Sequence, residues 1–200
     1  MLMTAKMLQE KLSSYGAPKN KIARMARDGE LTRIVKGLYE TDASTPPEYL
    51  AASIYGPSYI SFEYALARRG MIPEAVPVVT SATFEKGKAK RYDTPFGTFT
   101  FHDVPSRAFP WGVEVVVEGD YAYRIASPEK ALCDTLWLRS PVANYRELEA
   151  LLFDDLRLEP SELRDLDSRA IADLVGRYRS TNIGKLAKYL ERKARYELRS

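Results

Sequence analysis

A change of hydrophobic periodicity along the chain constrains the fold more than any other feature of this 200-residue sequence. Apart from two short β-prone runs within residues 31–40, apolar residues recur at helical spacing as far as Gly70. They alternate with polar residues between Val76 and Ile125 and return to helical spacing after Ser127. Short alternating runs separated by turn residues are typical of an antiparallel meander. The sequence therefore predicts an α+β fold with an antiparallel sheet and C-terminal helices.

The alternating region predicts five strands separated by glycine- or proline-containing turns, at residues 76–83, 88–92, 98–104, 113–117 and 121–125. Before them, Thr45-Pro-Pro-Glu48 has the form of a capping box and predicts a helix to about Tyr55, and Ser61 is expected to cap a helix that Gly70 ends. After them, Ser127-Pro128-Glu129 predicts a helix start. Further helices are expected at residues 145–154, 161–165, 169–179 and 183–197.

The first forty residues have the pattern of a small separate module. Thr4 begins a helix that reaches Ser14, Pro18 precedes a second helix over Lys19–Asp28, and Lys36-Gly37 lies between two short β-prone runs. Helix, turn, helix and hairpin is the outline of a winged helix-turn-helix. Because residues 42–47 are polar and contain prolines, we expect a DNA-binding domain at residues 1–42 and a larger α+β domain at 48–200 that folds without it.

Basic residues are concentrated at the two ends of the chain. Residues 1–40 contain eight Lys and Arg against four acids, and residues 171–200 contain eight against three, whereas the middle is net acidic. The whole chain has a formal charge of only +3. Basic ends on either side of an acidic centre are the distribution expected when the termini meet a polyanion.

The second helix carries a candidate recognition surface. Asn20, Arg24 and Arg27 share one face opposite Ile22 and Ala26. Arg can bind guanine edges or phosphate, and Asn suits adenine, as a recognition helix requires. Together with the predicted wing, the expected DNA contacts are Lys19, Asn20, Lys21, Arg24, Arg27, Arg33 and Lys36. The alternative interpretation is a solvated helix face.

The last predicted helix carries a second row of cations opposite an apolar face. The row consists of Lys185, Lys188, Arg192, Arg195 and Arg199, and the apolar face of Ile183, Leu186, Ala187, Leu190 and Ala194. Such a row could follow a phosphate backbone or dock on an acidic partner, and it could equally be a solubilising surface. The apolar face is expected to pack on the rest of the domain.

Residue types that carry catalysis or bind metals are scarce. Cys133 is the single cysteine and is expected to be a buried small side chain, and the single histidine, His102, is expected to form a structural hydrogen bond. Glu191-Arg192-Lys193 has the acid-x-Lys pattern of some nucleases but lies in a predicted helix without a partner acid. The sequence has no phosphate-binding glycine loop, no apolar run long enough for a membrane span, and no export signal. We therefore expect a cytoplasmic, non-enzymatic protein without cofactor or metal.

Four motifs in order along the chain resemble the signatures of a known family. They are the runs GELTRIVKGLY at 29–39, PSYISFEYALARRGMIP at 57–73, TPFG at 94–97 and IASPEKALCD at 125–134. They resemble the AbiEi family, which comprises abortive-infection antitoxins of type IV toxin-antitoxin systems described as transcriptional regulators. The resemblance covers about residues 20–140 and is less distinct in the C-terminal 50 residues. It implies an N-terminal winged helix that represses its own operon at inverted repeats, and a C-terminal domain that counteracts a nucleotidyltransferase-like toxin.

The physical roles of these motifs are mostly structural. Tyr59-Ile60-Ser61 is expected to staple and cap a helix, and Lys130 and Asp134, four residues apart, are expected to pair on a helix surface. We therefore expect a repressor and antitoxin that binds double-stranded DNA, with the oligomeric state and the operator sequence open. One alternative is a stand-alone regulator without a toxin, and another is a module whose larger domain binds a protein partner while the N-terminal domain only tethers it. A third is an enzyme acting on nucleic acid, which the lack of an acid-base cluster makes unfavourable.

Overall fold

The structure, a computed structural model, describes residues 1–197, with side chains described as far as Lys193. The N-terminal part, which we call the head, consists of β1 (Leu2–Thr4), α1 (Ala5–Lys11), α2 (Pro18–Arg27), β2 (Thr32–Val35) and β3 (Leu38–Glu40). Its three strands form an antiparallel sheet in the order β1-β3-β2. Two helices are thus inserted between the first strand and a terminal hairpin.

Local sequence signals explain most of the head. The Thr4 hydroxyl accepts a hydrogen bond from the Met7 N–H at 3.2 Å, which confirms Thr4 as the N-cap of α1. The helix ends at Lys11, so the expectation of a helix to Ser14 was too long. Strand β1 was not expected from the sequence, because three residues are too few to establish an alternating pattern.

The larger part, which we call the body, begins with short elements. They are a 3₁₀ turn (Pro47–Tyr49), α3 (Ala51–Ile54), β4 (Tyr59–Ile60) and α4 (Phe62–Arg68). The strands that follow are β5 (Val78–Thr83), β6 (Lys90–Thr94), β7 (Gly97–Asp103), β8 (Val113–Glu118) and β9 (Tyr121–Ala126). The C-terminal helices are α5 (Pro128–Trp137), α6 (Tyr145–Glu149), a π-helical segment (Ala150–Asp155), α7 (Pro160–Asp165), α8 (Ser168–Tyr178) and α9 (Thr181–Glu197).

The sheet of the body is mixed, so the expectation of an antiparallel meander was wrong. Its strand order is β6-β7-β5-β4-β9-β8, with β5 parallel to β7 and β4 parallel to β9. Strands β6 and β7 form a hairpin, and β7, not β6, lies next to β5. The two-residue strand β4 lies between β5 and β9. All five strands predicted from the sequence are present, but their pairing depends on contacts between distant residues. The α+β class is confirmed.

The helix α5 is the centre of the body. Every residue from Lys130 to Leu136 is buried, and the helix packs against α4, α8, α9 and β9. The Ser127 hydroxyl accepts a hydrogen bond from the Lys130 N–H at 3.2 Å, as expected for the N-cap of a helix that begins with Pro128. Among the described helices, none is both long enough and apolar enough to cross a membrane.

The capping box expected at Thr45–Glu48 does not form, and no continuous helix runs to Tyr55. Glu48 is buried and accepts a hydrogen bond from the Tyr64 hydroxyl at 2.7 Å, and its carboxylate lies 3.5 Å from the Arg68 guanidinium. Tyr64 and Arg68 of α4 therefore hold the Glu48 carboxylate in the body, where it does not close a capping box. The segment forms a 3₁₀ turn followed by the single turn of α3.

Strand β3 joins the head to the body, because its side chains alternate between the two. On one side, Tyr39 packs on a small cluster formed within the head by Met3, Leu8, Ile22 and Leu31. On the other side, Leu38 packs into the main core of the body together with Ile34 of β2. The independence of residues 48–200 remains a prediction, and this packing means that removing the head would expose apolar surface on the body.

Glu40, at the end of β3, is fully buried between head and body. Its carboxylate accepts hydrogen bonds from the Thr41 N–H at 2.8 Å, the Asp42 N–H at 3.2 Å and the Tyr121 hydroxyl at 3.2 Å. Burial raises the pKa of Glu40, but hydrogen bonds from the amino group of Met1 and from the two backbone N–H groups outweigh it. The net pKa lies below the ordinary value of 4.5.

We expect Glu40→Gln to lower the free energy of unfolding by about 1–3 kcal/mol near neutral pH, because a charged acceptor of several hydrogen bonds is lost. A carboxyl whose pKa is lowered by folding contributes stability above its unfolded pKa, and this contribution is lost as the pH falls through the folded value. In urea titrations the difference between wild type and variant should therefore shrink below pH 4.5. The exposed Glu30→Gln serves as the control, and a difference independent of pH would contradict the assignment.

Candidate nucleic-acid interface

Helix α2 is fixed in the head by its apolar side and presents its polar side to solvent. Ile22 is buried, and Met25 and Ala26 pack on the small cluster of the head. The helix has Pro18 in its first turn and is followed by Gly29 at φ 80°, a left-handed conformation that glycine adopts without strain. Pro18 and Gly29 thus mark the limits of the helix, and its amphipathic pattern sets its orientation.

The three residues predicted to form the recognition face are all exposed. Asn20, Arg24 and Arg27 lie on the solvent side of α2, with Lys19 beside them. No acid lies in the first turn. The Arg27 guanidinium is 3.8 Å from the Asp28 carboxylate, but both side chains are largely exposed, so this ion pair contributes little stability and does not hold Arg27 away from a ligand.

Lys21 differs from its neighbours, because it is partly buried. Its ammonium group lies 5.7 Å from the centre of the Tyr15 ring in the turn that precedes α2. At this distance a cation interacts favourably with an aromatic face. Tyr15 is half exposed. Tyr15 was not among the residues predicted for this surface, although an exposed aromatic residue within the turn of a helix-turn-helix pattern is a signal for it.

The hairpin contributes the other two predicted residues. Arg33 is exposed on β2, and Lys36 is exposed at the turn between β2 and β3. The carbonyl of Gly37 accepts a hydrogen bond from the Ala5 N–H at 2.8 Å, so the turn is attached to the start of α1. The hairpin is therefore held by the head at its tip and by the body along one face, and only these two cations reach solvent from it.

The second basic row does not form one uniform surface. Lys185 is partly buried in an open groove of about 780 Å³ between α6, α8 and α9, whereas Lys188, which also lines the groove, is exposed. The Arg192 guanidinium lies over the Tyr145 ring at 4.6 Å. The side chains of Arg195 and Arg199 lie outside the described residues. On the opposite face of α9, Ile183, Leu186, Ala187 and Leu190 are buried, as predicted, and the side chain of Ala194 lies outside the described residues.

The pairing of Lys130 with Asp134 was predicted correctly, but the expectation that the pair lies on a surface was wrong. The ammonium and carboxylate groups are 3.1 Å apart, and both side chains have an exposed fraction of zero. Four-residue spacing on a helix brings two side chains together whether the helix face is exposed or buried. Because α5 is enclosed by the other helices and the sheet, the pair lies inside the protein.

Hydroxyl groups from three other elements complete the surroundings of this ion pair. The Asp134 carboxylate accepts hydrogen bonds from the hydroxyls of Tyr59 at 2.9 Å, Ser61 at 2.6 Å, and Tyr178. Lys130 donates to the Ala108 carbonyl at 2.9 Å and to the Tyr178 hydroxyl. Ser61 therefore does not cap α4 with its side chain, contrary to expectation, because its hydroxyl is directed to Asp134.

The electrostatics of this cluster follow from burial. Burial lowers the pKa of Lys130, although the Asp134 carboxylate favours the charged form, and burial together with Asp134 raises the pKa values of Tyr59 and Tyr178 well above 10. Both charged groups have direct partners and neither reaches solvent. The cluster thus fastens α5 to β4, the start of α4, and α8, and it offers no position at which a substrate could meet the ammonium or the carboxylate.

Cys133 and His102 both make packing contacts. Cys133 is fully buried, as expected, and burial raises the pKa of its thiol. The His102 ring packs edge-on against Phe62 with a centroid distance of 5.6 Å, a packing contact rather than the expected hydrogen bond. Within the described residues, no three His, Cys, Asp or Glu side chains are grouped as metal ligands would be.

We expect Asp134→Ala to lower the free energy of unfolding by about 3–5 kcal/mol, because it leaves the Lys130 ammonium buried without its partner. The double variant Lys130→Met/Asp134→Leu should cost less than Asp134→Ala, since it removes both charges. Glu10→Ala breaks an exposed Lys6–Glu10 pair with the same spacing and should cost less than about 0.5 kcal/mol. Urea unfolding of the four proteins measures these values. Equal losses for Asp134→Ala and Glu10→Ala would show that the buried pair has no structural role.

Comparisons with known proteins give a likeness of fold. No family model matches the chain, and no curated protein matches it. Among the solved structures that match is the crystal structure of RV2827C protein from Mycobacterium tuberculosis, with a TM-score of 0.58 and 15% sequence identity. The likeness covers 95% of this chain and 71% of that chain. At this identity it concerns the fold alone, and it extends over both the head and the body.

Proposed function

We propose that this chain is a DNA-binding transcriptional regulator whose head is a winged helix, with α2 as the recognition helix and the β2–β3 hairpin as the wing. The observation that carries the proposal is the outward face of α2, where Asn20, Arg24 and Arg27 are exposed on a helix that Ile22 fixes from behind. A helix with this combination can enter a major groove without unfolding any part of the head.

The side chains of this face are better suited to binding DNA than to binding the acidic surface of a protein. Arg24 can donate two parallel hydrogen bonds to a guanine edge or to a phosphate, and the Asn20 amide has the donor and acceptor that an adenine edge requires. Lys19 and Lys21 lie in the first turn of α2, and Lys36 lies at the tip of the hairpin. These cations are suited to positioning the head through phosphates, and Arg24 and Asn20 to selecting the sequence.

The resemblance to AbiEi antitoxins supports a more specific version of the proposal. In that version the chain represses its own operon in the cytoplasm, and its body counteracts a nucleotidyltransferase-like toxin encoded beside it. The motif residues Tyr59, Ser61, Lys130 and Asp134 build the interior of the body, so they support a common fold rather than a toxin-binding surface. The antitoxin role is tested by whether the chain rescues cells that express the neighbouring gene.

We expect Arg24→Ala or Arg27→Ala to weaken binding to the DNA upstream of the chain's own gene by about 1–3 kcal/mol, because each variant removes one contact to a base edge or a phosphate. Neither side chain belongs to the apolar cluster of the head, so the circular dichroism spectrum should not change. Arg164→Ala removes one exposed cation from α7 in the body and serves as the charge-matched control. Unchanged affinity for both head variants in a gel-shift titration would rule out α2 as the recognition helix.

The salt dependence of binding separates the wing from the recognition helix. Each phosphate contact contributes about 0.9 to the slope of log affinity against log salt. If Arg33 and Lys36 contact only phosphates, the double variant Arg33→Ala/Lys36→Ala should reduce the slope by about 1.8 and weaken binding to operator and unrelated duplexes alike. Fluorescence anisotropy at several salt concentrations measures this. A slope identical to that of the wild type would exclude the hairpin from the interface.

A further inference from the structure

Strand β8 leaves one edge of the body's sheet open. It is the last strand in the order and, within residues 1–197, pairs only with β9, to which the two-residue turn Gly119-Asp120 connects it. Just before β8, the carbonyl of Gly112 accepts a hydrogen bond from the Ser127 N–H at 2.8 Å. Since bonding alternates along the strand, the even-numbered residues of β8 form the backbone hydrogen bonds to β9. Because bonding directions alternate in an antiparallel pair, the N–H and C=O groups of Val113, Val115 and Val117 point away from the sheet.

Strand β8 carries the charged residues Glu114 and Glu118, but both are bonded to groups of their own chain, and the side chains between them are valines. Val115 and Val117 are 63% and 70% exposed, and neither is charged. At the opposite edge of the same sheet, β6 carries Lys90, Arg91 and Asp93, and charged residues of this kind are a common means of blocking edge-to-edge association. A valine-bearing strand with free backbone groups is therefore the open edge of this sheet.

We propose that β8 is a self-association surface, at which two copies of the chain pair their β8 strands antiparallel about a two-fold axis. In the pairing that fits, Val115 lies opposite Val115 of the second copy, and Val113 opposite Val117. Because the Val113–Val117 pair occurs twice, the register contains three pairs of residues whose backbone groups point outward, and these would close the open edge with backbone hydrogen bonds. The exposed valines of the two copies would form one continuous apolar strip.

Backbone direction and charge distinguish this pairing from its alternatives. A shift by one residue would place outward-pointing backbone groups opposite inward-pointing ones. A shift by two would oppose Glu114 of one copy either to Glu118 or to Glu114 of the other, depending on its direction, and both are unfavourable. In the proposed register Glu114 faces Val116 instead. The Glu114 carboxylate is already paired with the Arg69 guanidinium at 2.6 Å, so its charge is partly compensated within its own chain.

The pairing matches a second copy of this chain, because one strand supplies both halves of the contact. A single pair of edge strands gives a small interface, below the roughly 1,200 Å² in total at which stable assemblies begin. We therefore expect a reversible dimer whose population rises with protein concentration. The proposed pairing does not rest on the proposed DNA function, since neither α2 nor the β2–β3 hairpin takes part in it.

A cysteine at the two-fold axis tests the register. Directly opposed residues of a hydrogen-bonded pair have Cα atoms about 5.5 Å apart, within the range of roughly 4.4–6.8 Å that a disulfide spans. Oxidised Val115→Cys should therefore form a covalent dimer on a non-reducing gel. Val117→Cys is equally exposed, but in this register its two copies lie about 14 Å apart and should not crosslink. The native Cys133 is fully buried and does not interfere.

Sedimentation equilibrium of the full-length chain tests the association itself. We expect Val115→Lys to weaken self-association at least about tenfold, because it places two like charges directly opposite each other. Ala122→Lys adds the same charge to the exposed side of β9, off the edge, and should leave the dimer intact if both variants fold by circular dichroism. A monomeric wild type at all concentrations, or crosslinking of Val117→Cys as efficient as that of Val115→Cys, would overturn the proposal, whatever other molecule binds this edge.

Discussion

The buried ion pair between Lys130 and Asp134 is the interaction on which the body of this protein depends. Two opposite charges without exposure to solvent are tolerated only when each has direct partners, since their desolvation is costly. Here the partners come from β4, from the start of α4 and from α8, so satisfying the charges requires these elements to be in place. The pair thus makes the position of α5 specific, which apolar packing alone does less strictly.

A second constraint acts at the junction of head and body. Strand β3 is the centre of the head's sheet, yet Leu38 and Glu40 on its other side belong to the body. The hairpin that precedes the boundary is therefore shared between the two parts. Because Leu38 is packed and Glu40 is hydrogen-bonded to Tyr121, the head is not a freely tethered module. Its polar face on α2 is held in a fixed direction relative to the sheet of the body.

The features that the sequence predicted correctly are those that depend on neighbouring residues. The inward side of α2 at Ile22 and its outward side at Arg24 follow from helical periodicity, and the turn at Lys36-Gly37 follows from local turn chemistry. The N-caps at Thr4 and Ser127 are also local. These signals were sufficient to identify the candidate DNA surface and the α+β class, although contact of that surface with DNA remains a prediction.

The features that the sequence did not reveal depend on residues far apart in the chain. Asp134 meets Tyr59, Ser61 and Tyr178 across 75, 73 and 44 residues, and no local pattern marks such partners. Strand β4 has only two residues and receives its place from β5 and β9, which is why a meander was expected and a mixed sheet was found. Spacing along a helix indicates which side chains meet, but not whether the helix face that carries them is buried.

The docking of the head gives the open edge at β8 a consequence for DNA binding. If the head were free on a linker, pairing two bodies would only raise the local concentration of heads. Because Leu38 and Glu40 hold the head against the body, a two-fold pairing at β8 would instead set both the separation and the relative orientation of the two α2 helices. Two rigidly related recognition helices favour DNA whose half-sites have one particular spacing and inverted orientation. The preferred spacing and orientation of the half-sites would then depend on the body. Substitutions at Val115 would alter cooperativity between half-sites and leave the affinity for a single half-site unchanged.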